Sequence, residues 1–310
     1  NSPSDHREFL PSFQKGTKAG KCFKRSRGRS MSVRLTILGC GSSGGVPRIG
    51  NDWGKCDPKE AKNRRRRCSL LVEKFGDNGC TTVLIDTGPD LRDQLLGADV
   101  QRMDAVLYTH AHADHLHGID DLRAFMVRDR RRIPVYMDIP TFDKAMAAFG
   151  YCFETPKGSS YPPILDRHSM TAATPVVIDG PGGEIEFLPI EVTHGEINAL
   201  GFRIGNTAYV PDVSDISRES LDFLTGLDLL ILDCLRRNPH PSHFNLDDAL
   251  SWTKELAPKK AIFTNLHNDL DYETLKAELP DGIEPAFDGL QVLIDGALAE
   301  TMPRIAVDAG

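Results

Sequence analysis

"THAHADHLHG" (residues 109–118) places four histidines and an aspartate within ten positions of a chain that holds only ten histidines in all. A solvated loop has no use for such density, and an apolar core cannot satisfy that many ring nitrogens. The stretch overlaps the end of an apolar run, "DAVLYT" (104–109), which reads as a strand. His110, His112, Asp114 and His115 therefore stand at a strand's carboxyl end, on a loop leading into a helix. Neutral imidazole and carboxylate are ligands for divalent ions such as zinc, with manganese and iron also within range. His110 and His112 flank a single residue, so both face one ion, and Asp114 and His115 point to a second ion close by. Two ions need further donors. His194 follows "FLPIEV", Asp212 follows "TAYVP" and His267 follows "IFTNL", each at the end of a strand-like run. Taken singly, a histidine at a strand terminus is more often a hydrogen-bonded loop residue. Together these three share the topological position of the histidine-rich loop.

The rest of the chain supports that topology. Short apolar runs at 33–38, 68–73, 81–86 and 104–109, and a second series at 175–179, 184–192, 200–205, 207–212, 228–234 and 260–266, read as strands. Helical spacing appears at 118–127 and 140–149. Over 245–257 Asn245 is placed to cap a helix, with Asp248 three residues on. No short-period repeat is present. The pattern predicts an α/β domain over residues 31–310 in which two sheets pack together with helices outside.

Residues 1–30 are different: eight Lys/Arg against two Asp/Glu give them +6, so with −7 for the whole chain the remainder carries −13. Poor in β-branched residues, this opening reads as a disordered basic extension, with Met31 as the natural start. An acidic body argues against stable nucleic-acid binding. The seven cysteines (22, 40, 56, 68, 80, 152 and 234) form no CxxC pair. They read as reduced thiols in a cytoplasmic protein without a secretory leader. No apolar run is long enough to span a bilayer.

"GCGSSG" (39–44) matches the dinucleotide-binding GxGxxG. That fingerprint needs a helix opening at its third glycine. Here "GVPRIGNDWG" follows, rich in glycine and without apolar periodicity, so the segment reads as a loop.

The series HxHxDH, then His, Asp and His at later strand ends, resembles the metallo-β-lactamase fold superfamily over most of the chain after Met31. "LIDTGPD" (84–90) is similar to that superfamily's opening motif, whose aspartate, here Asp86, steadies the metal loop from behind the ligands. His117 is a candidate for the same supporting task. The resemblance implies a four-layer αβ/βα sandwich of two facing mixed sheets with outer helices. It also implies that His110, His112 and His194 hold one ion, that Asp114, His115 and His267 hold the other, and that Asp212 bridges them.

"LGCGSSGGVP", "RRRRCS" and "HPSHFNLDDAL" resemble a narrower group, the cyclic phosphodiesterases of the phosphonate (carbon–phosphorus lyase) pathway. This implies a cytoplasmic hydrolase with two divalent ions, zinc or manganese. It would open a small cyclic or nucleotide-like phosphodiester by attack of a hydroxide held between the ions, and a homodimer is possible. A bridging carboxylate suits phosphoryl oxygen. By the same resemblance His243 is the acid that protonates the leaving oxygen, with His240 the weaker alternative. Ser42 and Ser43 are candidates for contacts to the ligand phosphate. The run Arg64 to Arg67 reads as a solvated entry to an edge strand, with phosphate gathering as its functional alternative. The pathway enzymes carry a cysteine cluster for a structural zinc; here Cys56 stands without partners, so no third metal is expected. Alternatives are an ester or thioester hydrolase of the same fold, or a protein similar to one in pyrroloquinoline quinone biosynthesis, which shares the "SSGGVP" loop.

Overall fold

In the computed structural model, which describes residues 33–294 and 300–302, the layering follows from strands that are apolar on both faces. The extension expected over residues 1–30 and the start expected at Met31 lie outside the described residues. In β1 (Val33–Gly39) Leu35 and Ile37 enter one buried cluster and Leu38 another. In β2 (Ser69–Gly76) Leu70 and Val72 part from Leu71 in the same way. Side chains alternate across a strand, so a strand covered on both faces feeds two cores at once.

β3 (Gly79–Ile85), β4 (Ala105–Leu107), β5 (Ile133–Met137) and β6 (Leu165–Ser169) continue the first sheet. The second sheet comprises β7 (Val176–Ile178), β8 (Ile185–His194), β9 (Ile197–Ile204), β10 (Thr207–Val210), β11 (Leu229–Asp233), β12 (Lys260–Thr264) and β13 (Ile283–Pro285). The chain then returns to the first sheet with β14 (Gln291–Ile294) and β15 (Glu300–Met302). The spatial orders are β15-β14-β1-β2-β3-β4-β5-β6 and β13-β12-β11-β10-β9-β8-β7. Both sheets are mixed: β3 to β6 pair in parallel, as do β10 to β13, and the remaining neighbours pair antiparallel.

Between the sheets, Leu35, Val72 and Ile85 meet Phe187, Phe202, Tyr209 and Ile231 in one core. The outer face of the first sheet packs under α1 (Leu91–Gly97), α2 (Ala113–Leu116), α3 (Arg123–Asp129) and α4 (Ile139–Phe153). The second sheet's outer face lies under α5 (Arg218–Leu221), α6 (Leu246–Leu256) and α7 (Tyr272–Glu278). The result is the expected αβ/βα sandwich. Asn245 caps α6 and Asp248 returns the bond, forming the capping box. Over 118–127 the expected single helix is instead a 3₁₀ turn at 119–122 running into α3. Among the described residues no helix is long and apolar enough to cross a membrane.

Two consequences position the site. β8 is antiparallel to β9 and β9 to β10, so β8, β10, β11 and β12 all run the same way. Asp86 and His110 follow β3 and β4; His194, Asp212, Asp233 and His267 end or follow β8, β10, β11 and β12. The loops at the carboxyl ends of both sheets therefore gather every donor at one end of the sandwich.

The arginine run corrects an expectation. β2 lies between β1 and β3 and is not an edge strand. Arg65 is 2% exposed, and its guanidinium donates to the carbonyls of His267 (3.1 Å) and Leu270 (2.7 Å) and to Asn63 Oδ1 (3.3 Å). Its neighbours are also engaged: Arg66 pairs with Asp288, Arg67 with Asp90, and Arg64 lies over the Trp53 ring. Arg65 thus ties the entry to β2 to the loop that carries His267. Arg65→Met leaves the buried Leu270 carbonyl without a donor, at about 1–3 kcal/mol, and leaves the His267 carbonyl with only the Leu270 N–H. Urea denaturation should show a lower midpoint at unchanged slope; an unchanged midpoint would show that the guanidinium does not brace the loop.

Candidate metal centre

The site is built on Asp86, which is fully buried and has a left-handed backbone (φ 65°), a conformation aspartate tolerates better than most residues. Its carboxylate accepts from the Thr109 backbone N–H (2.8 Å), the Thr109 hydroxyl (2.8 Å) and His115 Nδ1 (2.8 Å). Burial pushes the Asp86 carboxyl up, and His115 and Thr109 work against it. These bonds fix the histidine tautomers. Because the Thr109 hydroxyl gives its proton to Asp86, it accepts from His110 Nδ1 (3.0 Å). His110 Nε2 is then a free lone pair, and His115 Nε2 is the nitrogen that a cation could take in place of a proton. His194 Nδ1 donates to the Ser242 carbonyl (2.6 Å), which frees its Nε2 as well.

Those lone pairs converge. His110 Nε2 lies 2.9 Å and His194 Nε2 3.2 Å from His112 Nδ1. A tetrahedral ion with metal–nitrogen bonds of about 2.0–2.1 Å holds its donors roughly 3.3 Å apart, so the three rings have the spacing of a ligand set. Burial holds His110 well below the ordinary imidazole range, with the neighbouring His115 charge adding to it, and burial likewise lowers His194. Neutral rings are the form that binds metal.

A second group adjoins the first. His115 Nε2 lies 3.2 Å from Asp212 Oδ2 and 3.5 Å from Asp114 Oδ2, while Asp212 Oδ1 lies 4.0 Å from His194 Nε2. Asp212 thus turns one oxygen toward each group. Burial opposes charge on both partners, yet Asp212, Asp114 and Asp86 hold His115 well above its ordinary range, and His115 holds Asp212 well below its own. His115 Nε2 and Asp212 Oδ2 are buried without any hydrogen-bond partner. Buried polar atoms are rarely left so. A positive charge held between crowded carboxylates, with a ring nitrogen and a carboxylate oxygen left without hydrogen bonds, is a place a divalent cation would fill instead, so the residues fit the ion the fold family implies.

Beyond Asp212 lies a pair that sequence reasoning reached only in half. His243 Nδ1 bonds Asp233 Oδ2 (2.8 Å) and stands 3.7 Å from Asp212 Oδ1. Burial disfavours charge on the ring, but the Asp233 and Asp212 carboxylates outweigh it and push His243 up to about 9. Burial pushes the Asp233 carboxyl up. Asp233 closes the buried run "LLILD", the same strand-end position as the other donors, and that was the available signal. Asn265, also left-handed (φ 60°), was missed too; its Nδ2 donates to the Pro211 carbonyl (3.0 Å) and Asp212 Oδ1 (3.3 Å).

Not every predicted residue joins the cluster. Groups of three donors form from His110, His112 and His194; from His110, His115 and Asp212; and from His194, Asp212 and His243. His267 stands apart: its Nδ1 bonds Asp269 (3.1 Å) and its Nε2 faces the Arg48 guanidinium. His117 is exposed and rests edge-on against Phe149 (5.4 Å), so its ring bonds none of the donors. The Ser42 hydroxyl is buried without a partner, whereas Ser43 is exposed. His240 packs on His243 (5.1 Å between ring centres) and bonds Ser242. Cys56 lies against Arg65.

Residues 81–265 match the model of the β-lactamase superfamily domain, and the chain belongs to that family, with the metallo-β-lactamase fold. A solved diphosphatase from the PhnP family shares 37% identity at a TM-score of 0.76, covering 85% of this chain and 98% of that one. An octanoyltransferase of Porphyromonas gingivalis (strain ATCC BAA-308 / W83) is 32% identical over 268 residues, which is 85% of this chain and 52% of that protein. This chain thus spans about half the length of that relative. Zinc-bound PqqB from Methylobacterium extorquens has the same fold, with 16% identity and a TM-score of 0.64 over 83% of this chain and 99% of that one.

If Asp86 sets the tautomers, Asp86→Asn should weaken zinc or manganese binding about 10–100-fold. Competition against a chromophoric chelator measures this, with circular dichroism to show that the fold persists. Unchanged affinity in a folded variant would remove Asp86 from the role.

Proposed function

We propose that the chain is a phosphodiesterase that uses two divalent ions, zinc or manganese, to hydrolyse a small cyclic or nucleotide-like phosphodiester. The observation that carries this reading is Asp212, whose two oxygens face the two donor groups. A carboxylate at that position is a hard bridge suited to phosphoryl chemistry. The likeness to a PhnP-family diphosphatase supports the same class.

In this reading His110, His112 and His194 hold one ion, Asp114, His115 and His267 the other, and Asp212 both. Bound there, the ions would activate water near neutral pH and neutralise charge on the phosphoryl oxygens. The chain's own contribution to the leaving group is His243. Asp233 accepts a hydrogen bond from its Nδ1–H, orients the ring and leaves Nε2 to deliver a proton to the leaving oxygen. The hydrogen bond to the Asp233 carboxylate favours the protonated ring, the form a general acid needs. Asp233 is the positioning residue and His243 the catalytic one.

Two tests follow. Chelation should abolish hydrolysis, and zinc or manganese should restore it on 2′,3′-cyclic phosphates far better than on thioesters or β-lactams. Equal turnover of a thioester would move the protein to another chemistry. His243→Ala should spare p-nitrophenyl phosphodiesters, whose leaving group needs little help, yet lower kcat on a ribose cyclic phosphate by about 10²–10⁴-fold. Equal losses on both substrates would contradict an acid's role.

A further inference from the structure

Arg48 is the one arginine of the loop region from Gly44 to Arg67 whose guanidinium meets neither an anion, a set of carbonyls nor an aromatic face among the described residues. Arg65 holds carbonyls, Arg66 and Arg67 hold carboxylates, and Arg64 lies over Trp53. The Arg48 side chain instead directs a terminal nitrogen at His267 Nε2. His267 Nδ1 donates to Asp269 (3.1 Å), which makes Nε2 the acceptor.

Arg48 opens a short hairpin in which its N–H bonds the Asp52 carbonyl (2.9 Å) and Asp52 N–H bonds back (3.2 Å). The hairpin is docked on the residue after His267: Asn268 Nδ2 donates to Asp52 (3.1 Å) and Lys55 N–H to the Asn268 carbonyl (2.8 Å). Gly54 permits the approach, since a Cβ there would lie 2.4 Å from that carbonyl. The backbone beneath Arg48 is therefore fixed, and only the half-buried side chain is free to turn. Gly44 keeps its path open, because a Cβ at that position would sit 3.2 Å from Arg48 Cγ and Nε.

A guanidinium and a metal ion cannot share one lone pair. We infer that Arg48 is a substrate-binding residue held in reserve on His267, released when an ion takes His267 Nε2, and then turned to the anionic oxygens of the phosphodiester. This rests on the reading of His267 as a ligand. Guanidinium is suited to the task, since its planar fork matches two phosphoryl oxygens at once. Two consequences have opposite signs: removing Arg48 should tighten the ion at His267 while it weakens the substrate.

The experiment uses the full chain with Arg48→Met, Arg48→Lys and His267→Ala. Manganese titration calorimetry on chelator-stripped protein reads the ions, and steady-state kinetics on bis(p-nitrophenyl) phosphate at saturating manganese reads the substrate. Expected for Arg48→Met is a weaker-site Kd about ten-fold lower than wild type, with KM raised about ten-fold and kcat changed less than about three-fold. Arg48→Lys should keep part of the KM effect. Unchanged or weaker manganese binding in Arg48→Met, or an unchanged KM, would overturn the inference. His267→Ala separates the two readings. If it still binds two ions with wild-type affinity, His267 is not a ligand and the inference falls with that assignment. If it loses one ion while Arg48→Met shows neither effect, the metal assignment stands and the role of Arg48 alone is refuted.

Discussion

The buried carboxylate of Asp86 is the constraint on which the rest of the centre depends. It takes three hydrogen bonds from Thr109 and His115, and through them keeps a proton on Nδ1 of both His110 and His115, so that only Nε2 can meet a cation. Imidazole binds a cation only through a bare nitrogen, so the loop would hold the same residues but not the same ligands without it. The position is strained by its left-handed backbone and by burial, and the local hydrogen bonds hold it there. Histidines crowded this closely would otherwise repel one another once charged.

The sheets do the rest. Parallel pairing from β3 through β6 and from β10 through β13 aims the loops after β3, β4, β10, β11 and β12 to one end, and β8 runs in the same direction as β10. Residues nearly a hundred positions apart thus come within 3.2 Å of each other, His115 with Asp212 among them. Asp212 is where the two sheets' donors join, and His243 and Asp233 extend the same line of charge outward. The fold supplies rigidity and the loops supply chemistry, the division expected when functional groups sit on short loops over a rigid scaffold.

Much of this was legible in the residues themselves. The strands flanking the centre have apolar runs bounded by glycine, aspartate or proline, and the HxHxDH spacing declares its chemistry without tertiary context. What escaped notice had weaker local signals. β5 contains Pro134, which demotes a strand on sequence grounds, yet it pairs on both sides in the sheet. β6, "LDRHS", is mostly polar, and α1 and α7 have seven residues each, too short for a clear period. Asp233 looked like the end of a hydrophobic run, since nothing local says that His243 will arrive beside it. Arg65 has the sequence signature of a solvated residue because a buried arginine is uncommon and its acceptors are carbonyls some two hundred residues further along the chain. Those features are decided by tertiary contacts.

Anomalous diffraction from crystals grown with manganese would examine the donor arrangement most directly. Two peaks are predicted. One lies among His110 Nε2, His112 Nδ1 and His194 Nε2; the other lies against His115 Nε2 and Asp114, with Asp212 between them and His267 Nε2 on the second ion in place of Arg48. A single peak, or two peaks with Asp212 bound to neither, would contradict the two-ion centre.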